Sequence, residues 1–150
     1  MSAAEGLACV SANFDAFNAR DVERGGNMLT GSAELLDVAS NQRFTGPDGL
    51  RQYWQGWFGA FSDGKVEVVN SHASDDGTVV TEFVGRGTHD GTLVGPGGQS
   101  VPATGRQVNV SFCQVATVQD NKITGARVYW DMMTMLGQLG ALPTPVGARG

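Results

Sequence analysis

The sequence contains few of the residues from which common functional sites are built. It has two histidines, two cysteines and two lysines among 150 residues, and acidic side chains outnumber basic ones to give a net charge of -5. The basic residues are scattered singly, which argues against nucleic acid or an anionic membrane as a partner. Cys9 and Cys113 lie far apart, without metal-ligand spacing to a histidine, so we interpret both as small core residues.

Motifs for nucleotide, metal and acyl-transfer chemistry are also missing. The chain has no P-loop, no Rossmann glycine pattern, no GxSxG and no HExxH, and two isolated histidines do not make an ordinary metal site. No apolar run approaches the roughly 20 residues that span a bilayer, and Glu5 stands where a signal peptide would be positive. We predict a cytoplasmic protein without metal or cofactor, whose apolar pocket handles a small organic molecule by acid-base chemistry.

What the sequence does contain is a change from helical to strand periodicity near residue 65. Its length suits a single domain over residues 1–150. Apolar residues at helical spacing predict a helix over residues 3–19, with Asn13 facing outward, and Asp21 suits the cap of a shorter second helix. A third helix opens at Gly46-Pro47-Asp48. A sheet must cover its large rings, which are Tyr53, Trp54, Trp57, Phe58 and Phe61.

The second half of the chain reads as strands. Alternating patterns predict strands over residues 66–74, 78–89, 106–119 and 122–130, and a shorter strand precedes the third helix, with Asp37 pointing to solvent. A long loop covers residues 90–105, and a closing helix begins at Asp131 and ends at Gly140 and Pro143. These elements predict an α+β fold in which a bent antiparallel sheet wraps on the N-terminal helices and leaves a conical cavity.

Five short motifs, in this order and spacing, resemble the SnoaL-like polyketide cyclases, a family built on the nuclear transport factor 2-like cone. They are FNARDVE at 17–23, FTGPDGL at 44–50, GTHDGTL at 87–93, PATGR at 102–106 and QLG at 138–140. The resemblance covers nearly the whole chain. It implies an α+β barrel with a short C-terminal helix, a small aromatic or polyketide-like ligand, no cofactor, a role in antibiotic biosynthesis and a homodimer.

The resemblance also implies where a catalytic pair would lie. In cyclases of this family, an aspartate on the last strand, helped by a histidine on the strand before it, takes a proton from a carbon next to a carbonyl. An intramolecular aldol closure follows. The matching positions here are Val128 and Gln114, and neither side chain can carry the proton. The cofactor-independent hydroxylase-type members of the group therefore match this chain as well as the cyclases do.

Several residues remain candidates for the site. The catalytic candidates are His89, Asp131 and Gln114. His89 matches the GTHxG histidine but could equally anchor the long loop. Asp131 also suits a helix cap, and Gln114 can bind a carbonyl or enolate oxygen. Arg127 could orient an anionic group, although exposed strand arginines are common. The candidates for substrate binding are Trp130, Trp57, Tyr53, Phe17, Val128 and Arg127, of which Trp130 shares a strand face with Val128.

Two functional hypotheses follow. The first is an enzyme of aromatic polyketide tailoring, by ring closure or hydroxylation, and the second is a non-catalytic binding or accessory module on the same fold. A cavity that holds an acid or histidine without a salt-bridge partner would favour the enzyme, whereas a wholly apolar cavity would favour the binder. Residues 109, 111 and 113 give the outer sheet face a small, uncharged character, which suits two-fold packing in a dimer.

Overall fold

The computed structural model describes residues 2–94 and 100–142. Its helices are α1 (Ala3–Asn18), α2 (Val22–Asn27), α3 (Gly46–Ala60) and α4 (Met132–Leu139). Its strands are β1 (Leu29–Asp37), β2 (Gln42–Thr45), β3 (Lys65–Ala73), β4 (Thr78–Thr88), β5 (Leu93–Val94), β6 (Ser100–Val101), β7 (Gln107–Gln119) and β8 (Lys122–Trp130). The predicted order of helices and long strands is confirmed, and none of the helices in these residues is long and apolar enough to cross a membrane.

Six strands form one curved sheet in the order β2-β1-β8-β7-β4-β3. The prediction of a wholly antiparallel sheet is wrong in one place, because β1 pairs with β8 in parallel. Strands so far apart in sequence leave no local signal of their pairing. In the described residues the edge strands β2 and β3 do not pair with each other, so the sheet is an open cone rather than a closed barrel.

The helices begin and end at residues whose local chemistry predicts it. The side chain of Asp21 accepts a hydrogen bond from the backbone of Arg24, and Asp131 does the same for Met133. Gly140 ends α4 in the left-handed conformation with φ 71°, while Pro143 lies outside the described residues. At the start of α3, Gly46 has φ 68°, and a Cβ there would stand 2.7 Å from the carbonyl oxygen of Gly31.

The concave face of the sheet packs on α1 and α3 and forms the core. Along β7, Val108 and Val110 are buried while Asn109 and Ser111 are exposed, as the alternation predicts. The tight β7-β8 turn is also as predicted, with Asp120 and Asn121 at φ 50° and 61°, the backbone of a hairpin turn that matches strand twist. The expected two-fold dimer through the outer face stays a prediction.

Candidate functional site

Two neighbouring hollows lie between α3 and the sheet. The inner cavity, about 90 Å³, is lined chiefly by Phe14, Phe17, Trp54, Phe83, Phe112, Gln114 and Val128. The outer recess, about 480 Å³, is lined chiefly by Asp37, Ser40, Gln42, Phe44, Gln52, Gln55, Trp130 and Met132. Tyr53 and Trp57 line both, so these two rings form the wall between them.

The rings in the wall are held by contacts among themselves. Trp57 lies edge-on to Trp130 at 5.5 Å between ring centroids and to Phe112 at 6.0 Å. Tyr53 lies 5.0 Å from the ring of Phe44. Tyr53 and Trp57 are four residues apart on α3 and therefore project from one side of the helix, which gives the wall its position.

Asp37 is the acidic group of the outer recess. The residue is 1% exposed, and its carboxylate accepts hydrogen bonds from the Tyr53 hydroxyl at 2.6 Å, from Trp130 Nε1 at 3.0 Å and from the backbone N–H of Ser40 at 3.1 Å. Within residues 2–94 and 100–142, no basic side chain forms a salt bridge with it. The site therefore contains a buried carboxylate that neutral donors hold in place.

Tyr53 remains protonated beside this carboxylate. Burial raises the pKa of its hydroxyl well above the ordinary value, and the negative charge of Asp37 and the hydrogen bond to it raise it further. The phenol therefore acts as a hydrogen-bond donor to Asp37 across the whole neutral range.

The prediction that Asp37 points to solvent is wrong. The inward residues of β1 are Ala33, Leu35 and Asp37, while Leu36 and Val38 lie toward the outer face and Val38 is 38% exposed. The apolar residues on either side of Asp37 suggested the opposite alternation. An inward carboxylate is tolerated here because three donors, from α3, β8 and the following turn, meet it.

Asp37, Val128 and Gln114 occupy one row across three strands. Val128 pairs with Gln114 on one side and with Asp37 on the other, and Val128 is 4% exposed. The placement of Val128 opposite Gln114 on the cavity wall thus agrees with the sequence-based register. The carboxylate of Asp37 therefore lies on the strand next to Val128, the position where the resembled cyclases carry their aspartate. Neighbouring strands lie about 4.8 Å apart.

His89 is buried but lies outside both hollows. Its Nδ1 accepts a hydrogen bond from the backbone N–H of Thr104 at 3.2 Å and lies 2.9 Å from the Thr104 hydroxyl. The amide can only donate, so the neutral ring carries its proton on Nε2, which has no partner among the described residues. Burial lowers the pKa of the imidazole. This histidine joins the end of β4 to the segment before β7.

The other sequence candidates separate into two groups. Phe17 lines the inner cavity, where it packs against Trp54 and Phe58, and Gln114 and Val128 lie in the same cavity. Asp131 is exposed and caps α4, and hydrogen bonds from Thr134 and Met133 lower its pKa. Arg127 is exposed on the outer face and donates to the hydroxyl of Tyr129. Neither Asp131 nor Arg127 lines the inner cavity or the outer recess.

The sequence analysis did not predict two polar residues of the site. Asp37 is one, and Asn13 is the other: the structure buries it against α2, where its amide donates to the carbonyl of Gly25. A helical wheel for α1 does not show that α2 folds back over this residue.

In the described part of the chain, no three His, Cys, Asp or Glu side chains group closely enough to bind a metal ion, and cofactor independence stays a prediction.

The chain belongs to the SnoaL-like polyketide cyclase family, because the model of that family matches residues 8–139. Membership supports a small-molecule tailoring enzyme as the general class, on the cone-shaped α+β fold that the sequence predicts. No curated protein matches the sequence significantly.

Solved structures with the same fold include proteins of different stated activity. AclR of Streptomyces galilaeus, proposed to be a hydroxylase, is 22% identical, with 95% of this chain and 100% of that chain aligned and a TM-score of 0.79. A SnoaL-like protein of Jannaschia sp. CCS1, proposed to be a polyketide cyclase, is 24% identical over 93% and 94% of the two chains, with a TM-score of 0.77. IdmH of Streptomyces antibioticus, also proposed to be a polyketide cyclase, is 26% identical over 90% and 98%, with a TM-score of 0.72.

Proposed function

We propose that the protein is an enzyme that takes a proton from a carbon next to a carbonyl of an aromatic polyketide-like substrate, with Asp37 as the general base. The carbanion then either attacks a second carbonyl of the same molecule, which closes a ring, or adds molecular oxygen as a co-substrate and takes up a proton to give a hydroperoxide, the first product of a cofactor-independent hydroxylation. The observation that supports the proposal is the carboxylate of Asp37, which lines a cavity, has no basic partner among the described residues and lies beside Val128.

The surroundings of Asp37 suit a positioned base. Tyr53 and Trp130 each donate to the carboxylate and fix its orientation, and both rings also line the recess from which a substrate would approach. A general base needs hydrogen-bond reach to the proton it removes, and a held carboxylate at a cavity wall meets that condition once a substrate binds. In this arrangement the base has moved one strand, from the position of Val128 to β1.

A non-catalytic binder on the same fold is the second candidate. Val128 and Gln114 favour it, because they replace the proton-carrying pair of the resembled cyclases. The cavity criterion favours the enzyme, because Asp37 is a cavity acid without a salt-bridge partner in the described residues. The two candidates differ in one measurable step, which is removal of a carbon-bound proton.

Proton exchange in D₂O tests that step without assuming which product forms. Purified protein is incubated with an anthraquinone that carries a β-keto ester side chain, and loss of the proton signal next to the carbonyl is followed by NMR. We expect exchange above the buffer rate, and Asp37→Asn should lower the enzymatic rate by about 10²- to 10⁴-fold, the usual contribution of a general base.

The matched control is Glu82→Gln, which removes an exposed carboxylate. It should leave the exchange rate unchanged. Melting temperature and circular dichroism show whether each variant is folded. An Asp37→Asn protein that is folded and exchanges as fast as wild type would remove Asp37 from the mechanism. Tight binding of the quinone by wild type with no exchange would instead support the binder.

A further inference from the structure

We infer that the ring system of the ligand binds in the outer recess, against an exposed face of α3, and that it is an uncharged polycycle edged with hydroxyl and carbonyl groups. The inference rests on the proposed function for its choice of ligand class. It adds that the ring system lies in the outer recess and not in the inner cavity, where Val128 and Gln114 lie.

Volume separates the two hollows. An apolar cavity of about 150 Å³ holds one benzene ring, and ligand pockets in general have volumes of about 300 to 1,000 Å³. The inner cavity, at about 90 Å³, is too small for a fused ring system. The outer recess, at about 480 Å³, has room for one.

The glycines of α3 indicate which surface the ligand covers. Gly56 and Gly59 lie in the helix interior, where glycine is less stable than alanine, yet a Cβ at either position would meet no atom of the described residues within 4 Å. Gly25 and Gly49 differ, since a Cβ there would lie 2.1 Å from the Trp54 ring and 2.9 Å from the Phe44 backbone. Packing among the described residues explains Gly25 and Gly49 but not Gly56 and Gly59, and both Gly56 and Gly59 line the recess.

The lining of the recess also indicates the chemistry of its ligand. Flat aromatic side chains, Phe44, Trp57 and Trp130, suit a planar ring system, and the amides of Gln42, Gln52 and Gln55 suit hydroxyl and carbonyl edges. Among the described residues that line it, Asp37 is the only charged one, so an anionic ligand would be repelled. The recess therefore favours a neutral quinone over its carboxylated analogue.

A single substitution can fill the recess without disturbing the core. Gly56→Phe adds a ring at an exposed helix position where a Cβ meets none of the described residues within 4 Å, so the fold should be retained. Binding of a dihydroxyanthraquinone is followed by quenching of tryptophan fluorescence. We expect Gly56→Phe to raise Kd at least about tenfold, while Ser11→Phe, a matched ring on the exposed surface of α1, should change it less than about twofold.

Gln114→Met tests the inner cavity as the competing location, because it removes the amide there with little change in size. Kd should stay within about twofold of wild type, and an anthraquinone carboxylate should bind at least about tenfold more weakly than the neutral quinone. Asp37→Asn should narrow that difference, because it removes the charge.

Three results would overturn the inference. They are weakened binding in Gln114→Met, unchanged binding in folded Gly56→Phe, and no quenching of wild type up to the solubility limit of the quinone. The proposed function fails separately. If Gly56→Phe blocks binding but wild type shows no proton exchange, the recess is the ligand site and the protein is not the proposed enzyme. If Gly56→Phe still catalyses proton exchange, the protein is the proposed enzyme and the recess is not its ligand site.

Discussion

Asp37 and His89 are both buried titratable residues, at 1% and 0% exposed, yet their surroundings differ. Asp37 stands at the wall of the outer recess, and donors from α3, β8 and the following turn converge on it. His89 lies outside both hollows, with Nδ1 bonded to Thr104 and Nε2 without a partner in the described residues. Its backbone also bonds both ways with the next segment, accepting from Gly105 and donating to Arg106.

Burial of a titratable group does not by itself identify a functional site. The hydrogen bonds of His89 connect two segments of chain, and the side chain lines neither hollow. Those of Asp37 orient a carboxylate toward a space that a small molecule could fill. Location relative to a cavity is therefore the better guide, and it favours Asp37 although only His89 matches a motif of the resembled family.

Val128→Asp should have the largest effect, because it places a second carboxylate beside Asp37 without donors. Burial raises the folded-state pKa of the new group above its unfolded value of about 4, so the two states bind protons equally below the unfolded pKa and again above the folded-state pKa. As the pH rises from the unfolded pKa to the folded-state pKa, the free energy of unfolding of the variant falls relative to wild type. The total loss at alkaline pH should be about 3 kcal/mol or more.

Urea unfolding at several pH values between 4 and 9 measures this effect, and Val128→Asn, which cannot ionise, is the control. A stability difference between Val128→Asp and wild type that is constant over this range would show that position 128 is not enclosed. The same variant, tested in the exchange assay, shows whether a base at the position of the resembled cyclases can operate here.

His89→Phe should have an intermediate effect on the free energy of unfolding, and it distinguishes a structural role of His89 from a catalytic one. It keeps a flat ring beside Phe61 but leaves the N–H of Thr104 without its acceptor, which costs about 1 to 2 kcal/mol at pH 7.5. Because the folded-state pKa of His89 lies below the unfolded value of about 6.5, wild type loses stability as the pH falls through and below 6.5. The stability difference between the two proteins should therefore be smaller at pH 5.

Proton exchange by His89→Phe decides between the two roles of this residue. A structural anchor predicts a rate within about threefold of wild type in the folded variant, whereas loss of a catalytic acid or base predicts a fall of at least about a hundredfold. The larger fall would return His89 to the catalytic candidates.

Tyr53→Phe should have the smallest effect, about 1 kcal/mol near neutral pH, from loss of one hydrogen bond to Asp37. The folded-state pKa of Tyr53 is raised, so above the unfolded value of about 10 the unfolded chain ionises while the folded protein keeps its proton. Wild type thus loses stability above pH 10, and the difference from Tyr53→Phe should shrink there. Tyr129→Phe, which removes a hydroxyl at an exposed position, serves as the control for loss of a phenol.

Local chemistry made much of the fold predictable. Asp21 and Asp131 cap helices because a short acceptor side chain reaches a backbone N–H two or three residues ahead. Asp120 and Asn121 form the tight turn between β7 and β8, and a one-residue register shift at Thr117 and Val118 then brings Val128 opposite Gln114. These relations involve residues close in the chain. Asn13 and Asp37 were assigned to solvent because their partners come from α2, α3 and β8, and no helix or strand period carries that information.

Local sequence patterns predict the helices, the long strands and the ring-rich side of α3, and the side chains of Val128 and Gln114 exclude a proton-carrying pair at those two positions. Periodicity, caps and turn residues act within a few positions, and they suffice for those features. The parallel pairing of β1 with β8 emerges only in the folded protein, and it brings Asp37 next to Val128 and within hydrogen-bond distance of Tyr53 and Trp130. That placement depends on pairing strands about ninety residues apart, which is settled by how the whole core packs and not by any local pattern.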